Sequence, residues 1–167
     1  MGYHETYKRW QDDPEAYWLE QAKAIDWTEA PTKALFEKGE DLYEWFADAK
    51  VNGCYNAVDR HVANGRADQV AIIHDSPITG TKTKFTFAEL QTRVAAVAGV
   101  LRANGIGKGD RVIIYMPMVP EAVEAMLACA RIGAVHSVVF GGFAANELAV
   151  RINDCTPKAI IAASCGL

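Results

Sequence analysis

YMPMVPEAVEAMLACARIGAVHSVVFGGF, residues 115–143, is the stretch that decides the fold of this chain. It continues a short apolar run, Arg111–Met116, of the β-branched and aromatic kind that is buried in parallel sheets. Pro120 suits the first turn of a helix, apolar residues at three- and four-residue spacing carry that helix to about Ile132, and Gly133 can end it in a left-handed conformation. A second apolar strand follows at Ala134–Phe140. The sequence therefore predicts a βαβ unit with two parallel strands.

A glycine pair, Gly141-Gly142, follows the second predicted strand, at the end of the sheet where ligands of such folds gather. Because neither residue has a Cβ, a flat group could lie against their peptide planes. The same pattern is also typical of a tight strand-to-helix turn with positive φ and no ligand. The residues alone leave both interpretations open.

The segment before this unit extends the α/β pattern. A strand at Val70–His74 and a second at Lys84–Thr86 predict an antiparallel hairpin with a polar loop between them. Thr86 and Glu89 have the spacing of a capping box, which starts a helix that runs to Ala103.

The segment after the glycine pair predicts a further helix and strand. The helix covers about Asn146–Asp154, and its start is weakly defined because Ala144-Ala145 provide no capping side chain. The strand is Ala159–Ala163, and an apolar edge near Ile160-Ile161 predicts self-association unless something covers it.

Residues 1–65 predict a helical N-terminal extension, and residues 66–167 the first α/β part of a larger domain, with a boundary near Gly65-Arg66. Asp13-Pro14 has the pattern of a helix start, and further helices are predicted at Asp41–Ala49 and Asn56–Asn64. Four tryptophans fall in this region, which is more typical of packing than of a stacking platform. The predicted fold class is α/β: a parallel sheet with flanking helices, preceded by this extension.

The composition indicates a folded, cytoplasmic protein. The chain is 50% hydrophobic, and its 17 basic residues against 21 acidic ones give a net charge of −4, with no basic patch that would suggest a nucleic-acid partner. No signal peptide or run of about twenty apolar residues occurs, so no membrane partner is expected. The four cysteines are too irregularly spaced for a zinc site or a redox pair, and no metal site is predicted.

These residues carry a resemblance to a known family. The run YMPM-PEA---MLACARIGA-HSVVFGGF resembles the N-terminal region of the AMP-forming short-chain acyl-CoA synthetases, the acetyl- and propionyl-CoA synthetases, and leans towards the propionyl-CoA branch. Other matching residues are Asn56, Asp59, Arg60 and His61 of an N-x-x-D-R-H segment, Phe87–Leu90 of a helix start, and Tyr17-Trp18 and Ile25-Asp26-Trp27 of the N-terminal extension.

The resemblance implies a ligase that converts a short-chain carboxylate, ATP and CoA into acyl-CoA, AMP and pyrophosphate through an acyl-adenylate, with magnesium accompanying the ATP. In this family the motif that matches Phe140-Gly141-Gly142 packs against the adenine end of CoA. Phe140, Gly141 and Gly142 are therefore the candidate cofactor-binding residues, and no catalytic residue is assigned to this chain.

Other functional parts of the family follow the segment that Ala162–Leu167 resembles: the arginines that hold the CoA phosphates, the ATP loop, the acyl pocket and a C-terminal domain with its lysine. We therefore expect the remainder of a synthetase as the partner of this chain, and no activity from these 167 residues alone. The alternative is a stand-alone, non-catalytic binding or regulatory module of the same fold. A nicotinamide-binding protein is disfavoured, because Gly107-Lys108-Gly109 precedes a strand where a dinucleotide fingerprint follows one.

Overall fold

The computed structural model describes residues 2–142 and 144–164, and the chain divides into two compact units, Met1–Asn52 and Gly53–Leu167. This division falls before the boundary that the sequence predicted near Gly65-Arg66. The difference has a physical reason, since Cys54 and Val58 belong to the same buried cluster as the helices of the second unit. The helical turns that precede Gly65 are therefore part of the α/β unit.

The first unit combines two helices with two small antiparallel strand pairs. Asp13 caps the second helix, because its carboxylate accepts a hydrogen bond from the Ala16 N–H at 3.0 Å. Strand β1 pairs with β4, and β2 pairs with β3. The elements are α1 (Tyr3–Asp12), α2 (Pro14–Ala22), β1 (Trp27–Glu29), β2 (Leu35–Gly39), β3 (Leu42–Trp45) and β4 (Lys50–Val51).

The predicted helix at Asp41–Ala49 is wrong, because this segment forms the second strand of the β2–β3 hairpin. Asp41 adopts a left-handed φ of 59° in the turn, which a continuous helix does not allow. The ring of Trp45 packs edge-on against Trp18 of α2, with ring centroids 5.3 Å apart. The N-terminal region is thus helical only in its first part.

The second unit follows the predicted order of elements. The capping box of Thr86 and Glu89 is present at the start of α3, and Gly133 ends α4 with a left-handed φ of 74°. Before α3, where the sequence predicted a helix, the chain is helical and contains two short π-helical turns, Tyr55–Asp59 and Val62–Arg66. The elements are β5 (Val70–Ser76), β6 (Thr81–Thr86), α3 (Phe87–Ala103), β7 (Arg111–Met116), α4 (Pro120–Ile132), β8 (Val135–Phe140), α5 (Ala145–Cys155) and β9 (Ala159–Ala162).

A parallel sheet of three strands, in the order β8-β7-β9, forms the centre of this unit. The α/β fold class with a parallel sheet is therefore confirmed. Because crossovers between parallel strands are right-handed in nearly all proteins, a chain that moves from β7 to β8 and then back past β7 to β9 has its two helices on opposite faces. The loops that leave β7 and β8 then diverge, and such a point is where α/β folds bind ligands.

The core lies on the central strand. Val112, Ile113 and Ile114 of β7 are fully buried, and the cluster around Val112 also contains the cysteines Cys54 and Cys129. Burial raises the pKa of both thiols, so both are expected to be protonated and inert. Cys165 lies outside the described residues.

Two absences hold for the described part of the chain. None of its helices combines the length and the apolar character needed to cross a bilayer. Nor do three or more His, Cys, Asp or Glu side chains in that part come together as a metal site would require.

Candidate functional site

The diverging strand ends of the second unit open onto a groove of about 860 Å³. Four segments line it: the end of the β5–β6 hairpin, the loop after β7, the residues that end β8, and the exit of β9. The lining residues are 74–79, 116–119, 121, 140–142, 163 and 164. All three candidate residues, Phe140, Gly141 and Gly142, thus come together in one groove.

Phe140 is the last residue of β8, and its side chain is 64% exposed. This exposure gains significance from its place, because the residue lines a concave groove. An aromatic ring at a groove wall offers a π-face on which a flat ligand can stack. The exposed ring is therefore a chemically suitable contact for a heteroaromatic group.

Gly141 is required by the backbone of the neighbouring strand. A Cβ built on it would lie 2.9 Å from the carbonyl oxygen of Met116 and 3.1 Å from the nitrogen of Pro117, which are both backbone atoms. Neither Gly141 nor Gly142 adopts positive φ, so the turn with positive φ, one of the two interpretations that the sequence left open, does not occur. The absence of a side chain lets the ends of β7 and β8 approach each other closely.

Gly142 has a different role, because its neighbour is a side chain. A Cβ at this position would lie 2.7 Å from Cε1 and 3.2 Å from Cζ of the Phe140 ring. A larger residue would therefore displace the ring, which can rotate away more easily than a backbone can move. Gly142 thus preserves the position of Phe140 at the groove wall.

The groove lining is mostly apolar. Among the described residues that line it there is no lysine or arginine. The two acidic residues in its lining are both paired, Asp75 with Lys82 at 2.6 Å and Glu121 with Arg93 at 3.2 Å. Phosphate groups are usually held by Arg or Lys, or by a helix N-terminus, whereas apolar pockets suit uncharged rings. The helix N-terminus in this wall, that of α4, carries the acidic Glu121 in its first turn, which opposes an anion there. The groove therefore suits the uncharged ring of a ligand better than its phosphates.

An ion pair between the partly exposed Arg93 and the buried Glu124 supports the wall at the start of α4. Nε of Arg93, on α3, donates to the buried carboxylate of Glu124 at 2.5 Å, and its guanidinium lies over the ring of Phe85 at 4.9 Å. The hydrogen bond to Glu124 raises the pKa of the Arg93 guanidinium above its ordinary value. Because the same arginine also contacts Glu121, it joins α3 to the first turn of α4.

The residues that resemble the N-x-x-D-R-H segment lie outside the groove lining, and their contacts are structural. Asp59 accepts a hydrogen bond from Gln91 of α3 at 2.8 Å and pairs with Arg131 of α4. Nδ1 of His61 lies 2.9 Å from Arg66. This segment therefore ties the chain before β5 to the two helices.

The sequence assigned only Phe140, Gly141 and Gly142 to the site, and two exposed apolar residues are among the lining residues that it missed. Ile78, in the turn of the β5–β6 hairpin, and Met118, in the loop after β7, line the groove together with Phe140. The sequence signal that could have indicated Ile78 is a large apolar residue inside a turn rich in proline, glycine and threonine. The run that carries the resemblance contains Met118 but gave it no role, and it does not extend to Ile78.

The chain is similar to two protein families over adjoining segments. A model of the AMP-binding enzymes matches residues 59–166, and a model of the acetyl-coenzyme A synthetase N-terminus matches residues 3–57. Together these segments cover nearly the whole chain, including the groove residues up to Ser164.

Similar proteins occur in bacteria and in mammals. An uncharacterized protein of Pseudomonas aeruginosa is 54% identical over 100% of this chain, which covers 27% of that protein. The human (Homo sapiens) protein named acyl-CoA synthetase short-chain family member 3, mitochondrial, is 52% identical over 93% of this chain and 23% of its own length. The acetyl-coenzyme A synthetase of Bradyrhizobium diazoefficiens is 49% identical over 99% of this chain and 26% of its own length. The chain thus spans about a quarter of the length of these curated relatives.

Proposed function

The chain belongs to the AMP-binding enzyme family, as an N-terminal part of a short-chain acyl-CoA synthetase, and from this premise we propose that its groove holds the adenine end of CoA. The observation that carries the proposal is the exposed ring of Phe140 beside Gly141-Gly142, in an apolar groove at the ends of β7 and β8. Phe140 would stack on the purine ring, and the two glycines would let the ring approach the backbone.

For the whole protein we propose the reaction of an AMP-forming ligase. The carboxylate attacks the α-phosphate of ATP and releases pyrophosphate, and the thiol of CoA then attacks the acyl-adenylate to give the thioester and AMP. Magnesium would accompany the ATP and neutralise charge on its phosphates. Since the described residues of the groove lining include no Lys or Arg, the groups that hold the phosphates of CoA and ATP are expected in the remainder of the synthetase.

The acyl group and the location of the protein are finer proposals. We favour propionate as the substrate, with acetate next, because the sequence leans towards the propionyl-CoA branch. The related proteins named above include both an acyl-CoA synthetase short-chain family member 3 and an acetyl-coenzyme A synthetase. A cytoplasmic location remains a prediction.

The proposed CoA contact can be tested on the full-length protein by isothermal titration with CoA. Phe140→Ala should weaken binding, because stacking of a base on an aromatic ring contributes about 1–3 kcal/mol, or roughly five- to hundredfold in Kd. The matched control is Tyr43→Ala, which removes an exposed aromatic side chain from the first unit. Equal affinities of wild type and Phe140→Ala would contradict the proposed contact.

The proposed reaction requires the full-length protein. We expect ATP–pyrophosphate exchange that depends on propionate more strongly than on acetate, and no exchange from residues 1–167 alone. Exchange by this chain alone would contradict its predicted inactivity, and a larger kcat/KM for acetate would contradict the substrate preference. A native product near 18.2 kDa in the source cells would instead favour a stand-alone binding module.

A further inference from the structure

We propose that Ile78, at the turn of the β5–β6 hairpin, is a specificity-determining residue that contacts the ring of the nucleotide end of CoA. The inference rests on the proposed function of the groove. It adds a second contact to the proposed CoA site, on a wall of the groove that the motif Phe140-Gly141-Gly142 does not form. Ile78 and Phe140 lie on different elements and line the same groove.

The first argument is the exposure of apolar side chains around the groove. Ile78 is 70% exposed, Met118 is 87% exposed and Phe140 is 64% exposed, and all three line this groove. Single exposed apolar residues are common on protein surfaces, but a cluster at a concave site is typical of ligand binding. The three side chains come from the hairpin turn, the loop after β7 and the end of β8, so a ligand that fills the groove meets all three segments.

The second argument is that hydrogen bonds within the hairpin turn favour the conformation that presents Ile78. The N–H of Thr79 donates to Oγ of Ser76 at 3.3 Å, and the hydroxyls of Thr79 and Thr81 are 2.7 Å apart. Gly80 adopts a left-handed φ of 66°, which closes the turn without strain. A turn fixed in this way presents Ile78 at little entropic cost when the ligand binds.

The third argument is the match between the groove and one part of CoA. Its lining has apolar side chains and no lysine or arginine, and both of its acidic groups are already paired. An adenine ring is flat and uncharged, whereas the phosphates of CoA need cationic partners and its pantetheine arm has no aromatic face. Ile78 should therefore affect affinity for the nucleotide end and leave affinity for the pantetheine arm unchanged.

The test measures binding to the full-length protein by the anisotropy of a CoA analogue with a fluorescent etheno-adenine ring. The analogue is displaced by unlabelled CoA, by the adenosine bisphosphate part of CoA, or by pantetheine. The variants are Ile78→Ala, the proposed-function variant Phe140→Ala, and the matched control Ile73→Ala. Ile73 is an exposed isoleucine on the same hairpin that does not line the groove. Circular dichroism melting checks that each variant is folded.

We expect Ile78→Ala to raise the Kd for CoA and for adenosine bisphosphate by about tenfold, because it removes a few methyl and methylene contacts with the ligand. Ile73→Ala should leave both Kd values unchanged. If Phe140→Ala weakens binding and Ile78→Ala does not, the inference is wrong and the proposed function remains. If both isoleucine variants weaken binding equally, the effect is not local and the inference is again wrong. If wild type binds neither ligand, or if only pantetheine displaces the analogue, both the proposed function and the inference are wrong.

Discussion

At the scale of single residues, Gly141 is expected to be a structural glycine and Gly142 a functional one. Gly141→Ala places a methyl group 2.9 Å from the carbonyl oxygen of Met116, and the backbone of two paired strands must then move. We expect a loss of about 1–3 kcal/mol in the free energy of unfolding, measured by urea denaturation. Gly142→Ala should change that free energy by less than about 0.5 kcal/mol, because its neighbour is the movable ring of Phe140, but it should weaken CoA binding.

The matched control for Gly141→Ala is Gly99→Ala, inside helix α3. A Cβ at Gly99 meets no heavy atom within 4 Å. Alanine should therefore stabilise the chain there by about 0.5–1 kcal/mol, since it is the better helix former. Equal stability of wild type and Gly141→Ala would show that the ends of β7 and β8 can separate without cost.

The site was only partly predictable because its residues come from different segments. Phe140, Gly141 and Gly142 are consecutive and follow a strand, so the sequence alone indicates a place where a ligand could approach. Ile78 and Met118 reach the same groove only because separate elements converge there, and no local pattern encodes that convergence. The need for glycine at position 141 was also not predictable from local sequence, because the atoms that a Cβ would contact belong to the backbone of Met116 on the neighbouring strand.

At the scale of elements, an ion pair joins the chain before β7 to the chain before β9. The carboxylate of Asp110 accepts hydrogen bonds from Nζ of Lys158 at 2.9 Å and from the N–H of Gly107 at 2.9 Å. The hydrogen bond from Lys158 is the main cause that lowers the pKa of the Asp110 carboxyl below its ordinary value. A carboxyl whose pKa is lower in the folded state stabilises the fold above its unfolded pKa, and this contribution is lost as the pH falls through the folded pKa.

We therefore predict that Asp110→Asn lowers stability at neutral pH, and that its difference from wild type shrinks on acidification. The change should begin near pH 4, about the pKa of an unfolded aspartate, and be complete below the lowered pKa of the folded state. Urea unfolding across a pH series measures this difference, with Asp154→Asn, an exposed aspartate on α5, as the control. A difference that stays constant from neutral to acidic pH would show that the carboxylate charge does not stabilise these strands.

The elements that were predicted well have their signals inside their own segments. Strand β7 is a continuous β-branched and aromatic run, and α4 has Pro120 at its start and Gly133 at its end. The hairpin that contains β3 had no such signal. Its turn uses Asp41 where glycine is usual, and Trp45 is fixed by Trp18 of another element. The strand conformation of this segment depends on packing between segments that are distant in sequence, and short local sequence patterns do not predict such packing.

At the scale of the whole molecule, the α/β unit has a buried centre and exposed edges. Within the described residues each outer strand of the sheet pairs only with β7. Val135 and Val138 on β8 are more than half exposed, and Ile160 on β9 is nearly so. Strands with free backbone groups and exposed apolar side chains pair readily with other chains. The exposure of Ile160 agrees with the apolar edge that the sequence predicted on this strand.

We predict that the isolated chain self-associates through these edges. Light scattering after size exclusion should give a mass that rises above 18.2 kDa as the protein concentration increases. Val138→Lys should shift the distribution towards the monomer, because a charged side chain on an edge strand opposes pairing. The control is Val150→Lys, which places the same charge at an exposed valine on helix α5. If wild type stays monomeric at every concentration, the prediction is wrong. If both lysine variants reduce association equally, the strand edges are not the contact, and general surface charge controls the association of the chain.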